Sequence, residues 1–146
     1  INYLLLIGYI DVLPTLFKSV AIPPGVAAEL AHPDSPAIVR SWIAAPPLWL
    51  NIRAPAHVDP LDLDEGEKQA IALAEELHAQ LLVVDEQKAR MIATSRGLTI
   101  TGTLGIIRLA AAEKLLDPRR AIIALRETSF YLDESVIERL FGFRPE

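Results

Sequence analysis

The stretch that most restricts the fold is QLLVV, Gln80 to Val84, with helix-forming sequence on either side of it. It is apolar without alternation. A strand exposed on one face alternates apolar and polar residues, and a strand covered on both faces does not. The run therefore predicts a parallel strand between two helices. Strand composition recurs in SVAI (Ser19–Ile22), in Leu48–Arg53 and in LTIT. Pro23-Pro24 stops the first of these, and a proline at a first helical position then opens GVAAELA. Helices are predicted for INYLLLIGYI up to about Gly8, for AIVRSWIAA, from the cap Asp64 to about Ala79, and for EQKARMIATSRG with Gly97 near its C-cap. Others are predicted for GTLGIIRLAAAEKLL, from Asp117-Pro118 to about Glu127, and after the cap Asp133. Ala70, Ile71, Ala74 and Leu77 recur at helical spacing. Strands alternating with helices predict an α/β domain with a parallel sheet. With 146 residues, no internal repeat and no long linker, one domain over residues 1–146 is expected.

Charge and composition narrow the function. The net charge is −5, so the chain is not the basic domain that non-specific nucleic-acid binding usually shows. A nucleic acid would have to meet a local basic patch or a metal, and a basic protein partner would suit the surface equally. The absence of cysteine rules out disulfides and cysteine-based zinc or iron–sulfur sites, and fits a cytoplasmic protein. YLLLIGYI is about half of what a bilayer span needs, and no basic segment precedes it, so no membrane association is expected. The chain opens at Ile1 inside an apolar run, which leads us to expect residues upstream. At 51% hydrophobic residues, exposed apolar surface is expected, and a homodimer would cover it.

Acids gather at the joints of LDEGEKQAIALAEELHAQLLVVDEQKAR (Leu63–Arg90). In open α/β sheets, ligands bind outside the carboxyl ends of the strands. Asp85 follows its strand directly and belongs on that edge; the plain alternative is an N-cap for the helix starting at Glu86, and nothing forbids both. Glu67 stands three residues after Asp64, which is also capping-box spacing. Its helix begins on the same edge, so Glu67 and Asp85 can converge. Glu29 lies on a short helix among apolar neighbours, where an ordinary exposed glutamate is the plain alternative. Asp64, Glu65 and Glu86 read as solvated or capping. Crowded carboxylates repel one another, and a divalent cation relieves that repulsion. Mg²⁺ and Mn²⁺ favour hard oxygen ligands, and either can activate a water against a phosphodiester. His32, His57 and His78 lack zinc spacing, and no G-x-S-x-G elbow is present. The segment at Gly102–Gly105 has neither the Walker nor the Rossmann pattern. Its Thr101 and Thr103 hydroxyls could still meet a phosphate near a helix start, against a plain turn with Thr103 as cap. Lys88, Arg90 and Arg96 form a modest basic group that could hold an RNA backbone or simply face solvent.

Taken together, LDEGEKQAIALAEELHAQLLVVDEQKARMIATSRGLTITGTLGII and LFKSVAIPPGVAAEL resemble the PIN-like nucleases, specifically the DUF3368 branch. The resemblance covers nearly the whole chain. It implies a three-layer α/β/α domain with a central, mainly parallel sheet, and a Mg²⁺- or Mn²⁺-dependent ribonuclease of the toxin type. By position it makes Glu29, Glu67 and Asp85 the metal-binding catalytic acids. Glu86, Thr101 and Thr103 are accessory candidates, and Lys88, Arg90 and Arg96 are RNA-contact candidates. RNA as substrate and an antitoxin protein as partner come with it. Such domains open with an apolar strand ending in Asp, which is not seen before INYLLLIGYI. The resemblance therefore implies that the chain as it stands lacks one ligand, and Asp11 does not replace it. A non-catalytic module that docks a protein partner is the second reading. A receiver-like phosphoacceptor is a weak third, since receivers need paired acids after the first strand.

Overall fold

A computed structural model describes residues 1–144 of the chain. In chain order its elements begin with α1 (Asn2–Leu6), α2 (Val12–Leu16), β1 (Val20–Ile22), α3 (Pro24–Ala31), α4 (Ala37–Ala44) and β2 (Leu50–Ile52). They continue with α5 (Glu65–Glu76), β3 (Leu82–Val83), α6 (Gln87–Ser95) and β4 (Ile100–Thr101). α7 (Thr103–Ala112), α8 (Pro118–Arg126) and α9 (Glu134–Phe141) follow. Internal contacts divide the chain into two compact units, Phe17–Gly102 and the two terminal segments, Ile1–Leu16 with Thr103 onward.

The terminal unit is helical, and apolar residues three and four apart build its core. Ile106, Ile107 and Ala110 of α7, Ala121, Ile122 and Leu125 of α8, and Ile137 of α9 are all fully buried. Each large side chain among them contributes roughly 1.5–3 kcal/mol by leaving water. The starts of α8 and α9 are set as the sequence predicts. Asp117 accepts the Arg119 N–H at 2.9 Å and Asp133 accepts the Ser135 N–H at 2.9 Å, each satisfying a donor that the helix cannot. Tyr3 and Phe130 meet edge to face, with ring centres 4.9 Å apart.

The unit Phe17–Gly102 is the α/β part. β1 pairs with β2 in parallel, with Val20 opposite Leu50 and Ile22 opposite Ile52. β3 pairs with β4 in parallel, with Leu82 opposite Ile100 and Val83 opposite Thr101. The fold is thus the expected α/β alternation with parallel strands, here as two two-stranded pairs. The strands are shorter than the sequence predicts. Only Leu82 and Val83 of QLLVV are strand. Val83 is 41% exposed, so the expected cover on both faces fails at this residue: its side chain projects opposite to those of its neighbours. Helix α5 ends at Glu76 rather than near Ala79, because Leu77 is its C-cap and His78 takes a left-handed φ of 49°.

α3 and α5 pack closely at their first turns, and the sequence allows this through glycine. A Cβ on Gly25 would stand 2.9 Å from Gln69 Oε1 and 3.1 Å from Gly66 Cα. In its absence the Gly25 N–H donates to Gln69 Oε1 at 2.7 Å. This crossing fixes where the acids of the two helices lie. Among the described residues, no helix is long and apolar enough to cross a membrane.

Candidate active site

The α3–α5 crossing brings Glu29 to the first turn of α5. The Gly66 backbone N–H faces the Glu29 carboxylate closely enough to lower it. Its Oε1 lies 2.5 Å from the point where a Gly66 Cβ would stand. A helix N-terminus offers unpaired N–H groups and a partial positive charge, so it holds an anion there. Burial and the nearby Asp64 charge still push the Glu29 carboxyl up, and the Gly66 N–H offsets only part of that.

Glu67 is the centre of strain. It is half-buried, and its Oε2 is buried without a hydrogen-bond partner. Burial, then the Glu86 and Asp64 charges and hydrogen bonding to Glu86, push its carboxyl up to about 7, with Glu29 adding to the effect. Glu86 moves the other way. Its Oε2 accepts the Ala89 N–H at 2.7 Å, and the Ala89 and Lys88 backbone amides hold its carboxyl below the usual range. The start of α5 and the start of α6 therefore meet through Glu67 and Glu86, and these two acids hold their protons very differently.

The structure decides between several capping alternatives. Asp64 occupies the N-cap position of α5, yet its side chain makes no cap hydrogen bond. Glu86, not Asp85, caps α6. Asp85 is left at the strand end, exposed, with Oδ1 directed over Gly102 at 2.6 Å from where a Cβ would stand. Glu65 pairs with Lys68 at 2.9 Å, which holds its carboxyl low.

The basic candidates have specific partners. Lys88 is ion-paired with Asp62, an exposed contact that lowers the Asp62 carboxyl. Arg90 donates from Nη1 to the Val84 carbonyl at 2.8 Å. Arg96 is clamped between Glu75 Oε1 at 2.8 Å and Asp59 Oδ2 at 2.5 Å. That clamp ties the loop between β2 and α5 down onto α5 and α6, and Arg53 and the Ala56 N–H add further links to Glu76. Thr101 ends β4 and is half-buried. Thr103 belongs to the terminal unit, where it is buried at the start of α7.

Sequence reasoning passed over Gly66 and Gly102. The GE pair at residues 66–67 and the TGT at 101–103 carried the signal, since each glycine makes room for a carboxylate.

A metal at these residues would meet oxygen donors. The donors are carboxylates alone, the hard oxygen set that suits Mg²⁺ or Mn²⁺, and one buried carboxyl oxygen lacks any partner. Among the described residues no three His, Cys, Asp or Glu side chains form a group that could hold a metal ion. The fit therefore lies in donor chemistry and like-charge crowding, with fewer than three direct ligands gathered at one point.

Short parallel strands alternating with helices, with acids at strand and helix ends, define a PIN-like α/β domain. A family model described as DUF3368, a PIN domain, matches residues 1–142, and the chain belongs to that family. PIN domains are generally nucleases and generally use divalent metals. No curated protein and no solved structure matches the chain.

Proposed function

We propose that the protein is a metal-dependent endoribonuclease of the toxin type, acting on RNA phosphodiesters in the cytoplasm and restrained by an antitoxin protein. The observation that carries this reading is the half-buried Glu67 carboxyl, pushed up to about 7 beside Glu86, Asp64 and Glu29, with one oxygen unpartnered. Such crowding is costly for a protein that only needs surface charge, and functional sites are where it accumulates.

Glu67 and Asp85 would hold Mg²⁺ or Mn²⁺, with Glu29 and Glu86 arranged around them. Mg²⁺ keeps several of its waters, so few direct protein ligands suffice. When bound, the ion supplies charge for the phosphate under attack and lowers the pKa of a water. The chain does the rest. The positive start of α5 draws Glu29 toward Gly66. The Ala89 N–H holds Glu86 ionised beside Glu67. Glu67 is then poised near neutral pH to give up its proton when a cation replaces it. Lys88, at the start of α6, is the cation placed to meet an RNA phosphate by exchanging its Asp62 partner.

The second reading, a module that docks a protein partner without cutting, draws on the lack of a gathered three-ligand group among the described residues. A mixed RNA pool separates the two. The nuclease reading expects cleavage that EDTA stops and Mn²⁺ or Mg²⁺ restores. No cleavage with the metals present favours the docking module, and cleavage indifferent to EDTA contradicts the metal dependence.

A further inference from the structure

Val84, Asp85, Arg90 and Gly102 form a constellation of their own beside the acids. Arg90 lies one turn into α6, and its N–H donates to the Glu86 carbonyl at 3.0 Å. From there its side chain turns back to the strand end, where Nη1 donates to the Val84 carbonyl at 2.8 Å. That carbonyl immediately precedes Asp85. A Cβ built on Gly102 would stand 2.6 Å from Asp85 Oδ1, 3.0 Å from Arg90 Nη1 and 3.5 Å from the Val84 oxygen. The carboxylate and the guanidinium thus reach the same point above a buried patch of bare backbone.

We infer that Arg90 is a positioning residue that fixes the Val84–Asp85 turn, and that Gly102 is the recess that lets Asp85 and Arg90 close together. The inference rests on the nuclease reading, in which Asp85 is a ligand. Arginine suits the task better than lysine. Its planar fork spends one N–H on the carbonyl and keeps others for an acid beside it, whereas an ammonium offers no fixed plane. The role differs from RNA contact, because the guanidinium is turned onto the protein's own backbone.

The test compares the wild-type protein with Arg90→Gln, Arg90→Lys and Gly102→Ala. Mn²⁺ binding is followed by electron paramagnetic resonance, and kcat and KM for RNA are measured separately. Groups that orient a metal ligand typically change metal affinity about 10–100-fold. All three variants are expected to weaken Mn²⁺ binding within that range and to lower kcat, with KM for RNA near that of wild type. Arg90→Lys is not expected to rescue. A raised KM for RNA with unchanged Mn²⁺ affinity overturns the inference, since Arg90 would then be a backbone contact. Variants indistinguishable from an active, Mn²⁺-binding wild type overturn it while sparing the nuclease reading. A wild type that neither binds Mn²⁺ nor cleaves overturns both. Where an Arg90 variant fails to fold, Gly102→Ala decides by the same two readouts.

Discussion

The Glu29 carboxylate of α3 lies over Gly66 at the start of α5, where the Gly66 backbone N–H lowers its carboxyl and the missing side chain leaves the space it occupies. One residue thus supplies both the donor and the room, and two helices deliver one acid to the start of the other. Gly66→Ala sets two effects against each other. Alanine gains about 1 kcal/mol of helix propensity. It also drives off a carboxylate whose attraction to the helix start is worth about 0.3–1 kcal/mol. The obstacle is the end of a flexible side chain, so Glu29 swings away and the fold survives. Denaturant unfolding should show a stability change within about 1 kcal/mol, while RNA cleavage falls at least about tenfold. A variant with full activity contradicts the placement of Glu29 in the site.

Glu67 sets a pH dependence. Its folded carboxyl is pushed up to about 7 from an ordinary 4.5, so the folded chain holds this proton more tightly than the unfolded chain. The group therefore stabilises the fold below about pH 4.5, and that contribution is lost as pH rises through about 7. Unscreened, the difference is worth about 3 kcal/mol, and screening at a partly exposed site reduces it to about 1–2 kcal/mol. Unfolding curves at several pH values should show Glu67→Gln gaining on wild type between pH 5 and 8 by about that amount. Equal slopes for the two proteins would mean that Glu67 is ionised throughout.

Arg96 is expected to behave as a structural clamp. It joins Glu75 of α5 to Asp59 of the β2–α5 loop, and it holds the Asp59 carboxyl below its ordinary value, with His57 assisting. Arg96→Ala should accelerate proteolysis within residues 53–63 and leave Mn²⁺ affinity intact. Because the Asp59 carboxyl is lowered, the clamp's contribution persists above the ordinary 3.8 and is lost only as pH falls below it. A protease pattern identical to wild type would show that other links hold the loop.

Ile107 has no exposed surface and sits in the helical core of the terminal unit. Ile107→Ala should cost about 2–5 kcal/mol by lost burial and cavity formation. Thermal unfolding with a smaller loss would indicate that α7 collapses onto the gap.

Much of this was legible in the sequence, and the reasons differ by element. Asp117 and Asp133 announced their helices because a cap acts on amides two residues away. Strand–helix alternation puts the start of α5 near the segment after β3, and the acid that meets Glu67 there is Glu86. Choosing between Asp85 and Glu86 as the cap of α6 did not follow, since two adjacent acids differ only by where the helix phase begins. Arg96 read as a basic surface residue because Asp59, its partner, is 37 residues away along the chain. GE and TGT marked Gly66 and Gly102, but what each glycine makes room for comes from another element and is not written beside it. Val83 looked buried because an apolar run does not reveal how many strands flank it.

The most direct test of the central claim is RNA cleavage in Mn²⁺ by wild type, Glu67→Gln and Asp85→Asn, with the thermal midpoint of each measured in the same buffer. The metal-site account predicts cleavage by wild type alone, with both variants folded and melting within a few degrees of it. Loss of fold in step with loss of cleavage, or cleavage retained by both variants, would contradict it and return these acids to a purely structural role.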